Sequence, residues 1–210
     1  MLQAYHAQII QQALGETFSP RALETITAAN LRQDDFLTGQ IGHPEYHFDA
    51  NRFAESYAYI EAQRAIILDM FNGGGEVVPA WEAFGRLTHT AQDFYAHSNY
   101  VRMWVGRFPE GELPGPEQIE ALDETLLDSP DLRSGEIYAI EVLAYFPVLR
   151  PLMLRLLPKD AHGHMNLDDP SKGPLFPYAI AAAVKRTTHE YATVAEALSE
   201  LELARFWDNA

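Results

Sequence analysis

Three residues with metal-binding side chains are spaced four apart in the segment RLTHTAQDFYAHSN at residues 86–99. They are His89, Asp93 and His97. An α-helix has about 3.6 residues per turn, so residues four apart project from the same face. Imidazole nitrogen and carboxylate oxygen are both good Zn²⁺ ligands, so this face could hold one ion or a close group of ions. A bound metal would also offset the cost of burying such polar side chains.

Further histidines and aspartates lie along the chain in other predicted elements. His6 lies in an early amphipathic helix, Asp34 closes the second helix, and His47 lies in a loop before the third. A late polar loop contains His162, His164 and Asp168. Each alone is equally typical of a surface or turn residue. Together they form an ordered series of nitrogen and oxygen ligands. The full candidate set is His6, Asp34, His47, His89, Asp93, His97, His162, His164 and Asp168.

The elements that position these residues are predicted to be helices, because apolar residues recur with a helical period and no strand pattern stands out. Ser19 and Pro20 are typical of a helix start, with serine as N-cap and proline in the first turn. Predicted helices cover about 2–14, 20–32, 51–71, 79–105, 117–127, 135–157 and 178–204. The predicted fold class is therefore all-α, and a length of 210 residues favours a single domain.

Composition narrows the function classes. The net charge of −15 disfavours a nucleic-acid groove, since a polyanion would be repelled, so we expect no nucleic-acid partner. The absence of cysteine excludes disulfides, thiolate catalysis and cysteine-ligated zinc. No apolar stretch approaches about 20 residues, which predicts no membrane span. Residues 1–14 lack a signal-peptide pattern, so the chain reads as cytoplasmic, or as secreted if a leader has been removed.

The ordered series resembles the zinc-dependent phospholipase C superfamily, and within it the HET-C-like branch. The most specific match is HTAQDFYAHSN at residues 89–99. HAQIIQQAL at 6–14, Asn30 with Asp34, HFDAN at 47–51 and the segment 162–168 match further elements of that family in order. The similarity runs from about residue 4 to residue 198.

This resemblance implies a single-domain helical bundle over residues 1–210 around a multinuclear metal site, with a variable apolar insert at about 106–158. The site would hold two or three zinc ions, although N/O ligands also suit other divalent metals. By correspondence, one ion would be held by residues 34, 47, 89 and 93. A second would be held by His97, Asp168 and either His162 or His164, and a third by His6 with Asp93 as a bridge. Glu45, Asp49 and Gln92 are candidate acceptors for the other nitrogen of ligand histidines.

The implied activity is zinc-dependent phosphodiester hydrolysis of the phospholipase C type, with a metal-activated water that Asp34 aligns or deprotonates. The expected substrate is a small phosphoester or phospholipid. The apolar segment 145–154 would either make transient contact with a lipid interface or form a buried helix. The alternatives are a single-strand nuclease or nucleotidase of the same superfamily, and a non-catalytic HET-C-like recognition or toxin protein.

Overall fold

The computed structural model describes residues 1–40, 42–109, 111–136, 138, 157–158 and 161–209. These residues form α-helices joined by turns, two isolated bridges and no strand, so the predicted all-α class is confirmed. The helices are α1 (Gln3–Leu14), α2 (Pro20–Leu31), α3 (Phe53–Asn72), α4 (Val78–His97), α5 (Tyr100–Val105), α6 (Glu124–Leu127), α7 (His162–Met165), α8 (Phe176–Glu196) and α9 (Glu200–Trp207). Short 3₁₀ turns cover Arg32–Asp34, Pro44–Tyr46, Pro116–Gln118 and Pro170–Lys172, and a π-helical turn covers Phe36–Gln40.

Helix α4 is the central helix of the bundle and packs against α2, α3 and α8. Its first half carries large apolar side chains, and the indole nitrogen of Trp81 donates to the Phe206 carbonyl at 2.7 Å, which ties α9 to the core. Its second half is buried throughout but carries Thr88, His89, Gln92 and other polar side chains. Polar groups buried in a helical core need partners, so this half of α4 must be matched by polar groups from its neighbours.

Gly85 sets how closely α2 approaches α4. A Cβ at this position would lie 2.3 Å from the Ile26 carbonyl oxygen and 2.8 Å from the Ala29 Cβ. Only glycine fits between the two backbones. The close approach places Asn30, at the end of α2, beside Thr88, to whose hydroxyl oxygen it donates at 3.3 Å. The end of α2 is thereby held against the polar half of α4.

The helix boundaries differ from the predicted ones at two serines. The long helix predicted over 79–105 is divided at Ser98, whose extended backbone (φ −98°, ψ 169°) separates α4 from α5. The last predicted helix is divided before Ser199, which caps α9 in a capping box with Glu202. At the start of α2, the Ser19 side chain accepts from the Ala22 amide, so the predicted N-cap is confirmed.

The structure also differs from the prediction in two other segments. The helix predicted over 117–127 is reduced to the short α6 and a 3₁₀ turn, and α7 lies inside the predicted late loop. The apolar helix predicted over 135–157, with its segment 145–154, falls almost wholly outside the described residues. Among the described helices, none combines the length and the apolar character needed to cross a bilayer.

Candidate metal centre

A first cluster of potential ligands lies where α1, the end of α2 and α4 meet. It consists of His6, Asp34, His89 and Asp93, each of which offers one atom within 4.8 Å of those of the others. The side chains of His6, His89 and Asp93 are fully buried, and that of Asp34 is 11 % exposed. Three elements far apart in sequence therefore contribute donors to one small volume.

The contacts of this cluster converge on the Asp93 carboxylate. Its Oδ1 atom lies 3.2 Å from His6 Nε2. Its Oδ2 atom lies 3.2 Å from His89 Nε2 and 2.9 Å from His47 Nδ1. Asp34 Oδ1 lies 3.7 Å from His89 Nε2. Tetrahedral zinc with bonds of about 2.0–2.2 Å separates its ligand atoms by about 3.3–3.6 Å, so this spacing is close to that of a coordination shell.

Two side-chain amides fix which ring nitrogen faces the cluster. His6 Nδ1 lies 2.6 Å from the Gln92 oxygen, and His89 Nδ1 lies 3.4 Å from the Asn30 oxygen. An amide oxygen only accepts hydrogen bonds, so both Nδ1 atoms carry a proton and Nε2 is the ring nitrogen left to bind a ligand. The Gln92 nitrogen donates to the hydroxyl of Thr187, which sets the orientation of the Gln92 amide. The two Nε2 atoms therefore face the Asp93 carboxylate.

A second cluster lies beside the first and contains Asp49, His97 and His162. His162 Nδ1 lies 2.8 Å from Asp49 Oδ1, and His97 Nδ1 lies 2.9 Å from the His47 carbonyl oxygen. His97 Nε2 lies 3.1 Å from Asp168 Oδ1. The side chains of His162 and Asp168 are 22 % and 20 % exposed, so the centre reaches solvent on this side.

The amino group of Met1 lies between the two clusters. Its nitrogen is 2.5 Å from Asp93 Oδ1, 3.2 Å from His97 Nε2 and 3.3 Å from Asp168 Oδ1. Burial opposes its positive charge, but the nearby carboxylates, Asp93 foremost, raise its pKa to about 11. A cation at this point is therefore strongly favoured by its surroundings.

The protonation states of His89 and Asp93 suit metal binding, whereas at His97 the effect of burial is outweighed by the Asp93 and Asp49 charges, which raise the pKa of the ring well above its usual value. Burial, together with the neighbouring His6, holds the pKa of His89 well below its usual value, so its ring is neutral at pH 7. Burial opposes the ionisation of Asp93, yet the charges of His97 and the amino group keep its pKa well below the usual range. Burial and the Asp93 charge raise the pKa of Asp34. Neutral imidazole beside ionised carboxylate is the form in which these residues bind metals.

Three donor atoms of the centre are buried without a hydrogen-bond partner among the described residues. They are His6 Nε2, His47 Nε2 and Asp34 Oδ2. Buried polar atoms are nearly always paired, and unpaired ones call for an explanation. A cation bound between the rings and the carboxylates would provide it.

The structure brings most of the predicted ligands together. The first cluster gathers the predicted His6, Asp34, His89 and Asp93, and His47 contacts its Asp93. The second cluster contains the predicted His97 and His162, and Asp168 contacts its His97. His164 is exposed on α7, while His162 faces Asp49. Asp49 was absent from the predicted ligand set. The feature of the sequence that could have identified it is its position in HFDAN, two residues after His47. It was expected there only as a hydrogen-bond acceptor for a ligand histidine.

Of the other two residues expected to accept hydrogen bonds from ligand histidines, Gln92 contacts the metal centre and Glu45 does not. Gln92 accepts from His6 as expected. Glu45 lies 3.1 Å from Nδ1 of His43. His43 belongs to neither cluster, and its ring stacks on Tyr46 with a centroid distance of 4.4 Å.

Comparison with known proteins gives a different family from the motif resemblance. A family model described as "VWA7 N-terminal domain" matches residues 1–118. Von Willebrand factor A domain-containing protein 7 from Rattus norvegicus is 34 % identical over 101 residues, which is 42 % of this chain and 10 % of that protein. Its counterpart from Mus musculus is 34 % identical over 109 residues, 50 % of this chain and 12 % of that protein. No solved structure matches.

These matches overturn the assignment to the zinc-dependent phospholipase C superfamily and its HET-C-like branch. The predicted phosphodiester hydrolase is therefore wrong, as are the nuclease and HET-C-like alternatives drawn from the same resemblance. The catalytic role of Asp34 rested on that activity and loses its basis. The chain spans about a tenth of the length of the curated relatives it matches. Because the family model covers more than half of the chain, the chain belongs to the VWA7 N-terminal domain family.

Proposed function

We propose that this domain binds divalent transition-metal ions in the centre formed by the two clusters, and that the bound ions hold its helices and loops together. The observation that carries the proposal is the convergence of two histidine Nε2 atoms on one buried carboxylate. His6 Nε2 and His89 Nε2 each lie 3.2 Å from an oxygen of Asp93.

Without a metal ion, the Met1 amino group, 2.5 Å from Asp93 Oδ1, is the cation beside this carboxylate. His6 Nε2 and His89 Nε2 each lie 3.2 Å from an oxygen of Asp93 in a fully buried volume. Buried negative charge is costly unless it is neutralised. The nearby carboxylates of Asp34, Asp49 and Asp168 add negative charge that one amino group does not balance, and divalent ions would neutralise it.

We propose zinc as the metal. The donors are imidazole nitrogens and carboxylate oxygens, a set that zinc accepts readily, although iron, nickel and manganese accept it too. One ion would be bound by His6, His89 and Asp93 with Asp34 or His47. A second would be bound by His97 and Asp168 with His162, on the side that reaches solvent.

The role we assign to the metal is structural. The proposed ligands come from α1, the turn after α2, the loop at 47–51, α4 and the segment around α7. Ions bound by elements so far apart in sequence join them directly. Because the ligands are assembled only in the folded state, the binding free energy contributes to folding.

Metal content per chain tests this proposal. We expect about two zinc ions per chain in protein purified without added metal, and loss of metal in Asp93→Asn and His89→Ala. His164→Ala is the matched control, because it removes an exposed histidine of α7 outside both clusters. A folded wild-type protein that takes up no divalent metal, even after reconstitution, would refute the proposal. Circular dichroism identifies variants that fail to fold.

A further inference from the structure

The loop at residues 47–51, HFDAN, has an unusual backbone. Phe48, Ala50 and Asn51 have φ values of 55°, 54° and 54°, in the left-handed region that residues with a Cβ rarely adopt. Phe48 is fully buried, so the surrounding core fixes this conformation. Non-glycine residues in this region persist where their surroundings hold them, and they concentrate at functional sites.

The segment Ser134–Gly135–Glu136 holds the loop in place. The Ala50 amide donates to the Gly135 carbonyl at 2.8 Å. The amide and the side-chain oxygen of Asn51 bond Ser134, at 2.8 Å each. The loop is thus fixed by hydrogen bonds at the two residues that follow Asp49.

The same segment also bonds the two histidines of the second cluster through their backbones. The Gly135 amide donates to the His97 carbonyl at 3.1 Å, and the His162 amide donates to the Glu136 carbonyl at 2.9 Å. A Cβ at Gly135 would lie 2.5 Å from the Cα of His162, so this approach requires glycine. The segment therefore brings the loop, His97 and His162 together.

This framework places the Asp49 carboxylate against the same ring nitrogen of both histidines. Asp49 Oδ1 lies 2.8 Å from His162 Nδ1 and 3.3 Å from His97 Nδ1. His97 Nδ1 also lies 2.9 Å from the His47 carbonyl oxygen, which can only accept a hydrogen bond. His97 Nδ1 therefore carries a proton, and His97 Nε2 is the nitrogen that remains for a metal.

We infer that Asp49 is a positioning residue of the metal centre: it accepts hydrogen bonds from Nδ1 of His97 and His162, so that both rings bind metal through Nε2. The inference rests on the proposed function. Carboxylates that accept from the second nitrogen of a ligand histidine fix its tautomer and orientation and increase its basicity.

The competing arrangement makes Asp49 a direct ligand, with both histidines coordinating through Nδ1. That arrangement would require His97 Nδ1 to lose the proton it donates to the His47 carbonyl. A buried carbonyl oxygen would then face a lone pair at 2.9 Å. The geometry of His97 therefore favours the positioning role.

NMR of the wild-type chain tests the inference directly. The protein is loaded with an NMR-active isotope of Cd²⁺ and carries nitrogen-labelled histidine. We expect the rings of His97 and His162 to show scalar coupling to cadmium through Nε2 and a protonated Nδ1. Cadmium coupling to Nδ1 of either ring would overturn the inference while leaving metal binding intact. A chain that binds no cadmium and no zinc would refute the proposed function itself.

Variants give a second readout that does not depend on assigning the rings. In Asp49→Asn the amide oxygen still accepts one hydrogen bond, so we expect an unchanged number of ions with one bound about 10–100-fold more weakly. Asp49→Ala should weaken that ion further. Glu45→Gln is the control, because Glu45 contacts His43 outside the clusters. Complete loss of one ion in Asp49→Asn, or unchanged affinity in both Asp49 variants, would overturn the inference.

Discussion

The Nδ1 atom of His6 and the side-chain oxygen of Gln92 lie 2.6 Å apart, so one buried amide fixes the tautomer of the candidate ligand from α1. The same amide oxygen accepts from Asn30 at 3.3 Å, and the amide nitrogen donates to Thr187 at 3.1 Å. Thr187 in turn donates to the Ala183 carbonyl of α8, so its oxygen accepts from Gln92. Four helices are joined through this side chain, directly beside Asp93.

Replacing Gln92 should therefore weaken metal binding although Gln92 is not a proposed ligand. In Gln92→Leu, His6 Nδ1 loses its acceptor, and we expect metal affinity to fall about 10–100-fold. The free energy of unfolding of the metal-free protein should fall by about 1–3 kcal/mol, because buried partners lose their hydrogen bonds. Gln92→Glu keeps an acceptor for His6 and should recover part of the affinity. Competition with a chelator measures the effect, and equal affinity in Gln92→Leu and wild type would contradict the role described for the amide.

Removing the metal should destabilise the whole domain reversibly. A ligand that binds only the folded state adds about 2.7 kcal/mol at a free concentration 100-fold above its Kd. We therefore expect Tm to fall on addition of EDTA and to recover when excess zinc is restored, as measured by calorimetry. Asp93→Asn, which lacks a proposed ligand of the first ion, should show a smaller change of Tm between zinc and EDTA than the wild type. A wild-type Tm that is insensitive to chelation would contradict the structural role proposed for the ions.

An ion pair away from the metal centre should make stability depend on pH. The Glu190 carboxylate is almost fully buried and accepts hydrogen bonds from two arginines, from Arg186 at 2.6 Å and from Arg64 at 2.5 Å. Burial opposes ionisation, but the two guanidinium groups lower the pKa of Glu190 below its usual 4.5. Because the folded-state pKa is the lower one, the stabilisation is complete above about pH 4.5 and is lost as the pH falls through the folded value.

Glu190→Gln isolates this contribution. At neutral pH we expect the variant to lose about 3–5 kcal/mol, since Arg186 is left buried without its counter-charge. As the pH falls through the lowered folded-state pKa, wild-type Glu190 becomes protonated and the difference should shrink. Urea unfolding in the presence of EDTA measures both values without interference from the metal. A difference that stays constant with pH would show that the charge of Glu190 is not responsible.

Gly85→Ala should destabilise the protein although alanine is the better helix former. The added methyl group would lie 2.3 Å from the Ile26 carbonyl oxygen, so α2 must move away from α4. We expect a loss of about 1–3 kcal/mol from overpacking, and weaker metal binding because Asp34 follows α2. Gly73→Ala is the control, since a Cβ there has its nearest neighbour at 3.4 Å. Helix propensity alone predicts that Gly85→Ala stabilises the protein. That result would show that the contact between α2 and α4 does not require glycine at this position.

The ligand face of α4 could be predicted because helical geometry alone aligns His89, Asp93 and His97. The choice between His162 and His164 could not, because it depends on how the segment at 134–136 seats α7. The break at Ser98 was also missed, since the helical pattern of residue types continues through it. The position of Asp49 beside the two histidines could not be predicted either. It depends on left-handed backbone at Phe48 and Ala50, which sequence rules do not expect for these residue types.

The family assignment failed for a physical reason as well. Residues four apart on a helix are the simplest way to present several ligands on one face, so unrelated helical proteins arrive at similar His and Asp patterns. A short motif around such a helix therefore reports the chemistry of the face more than its ancestry. Fold class was easier to predict, because apolar periodicity is spread over the whole chain.

The left-handed backbone of the loop at 47–51 also bears on how fast ions would exchange. Each such residue costs roughly 1–2 kcal/mol, a cost offset while the segment at 134–136 stays hydrogen-bonded to the loop. Loss of those bonds would release His47 and Asp49 together, whereas His89, Asp93 and His97 would stay on a helix buried in the core. The proposed ions would therefore dissociate at a rate set by opening of the loop, and slowly exchanging amides at Ala50 and Asn51 would mark slow release.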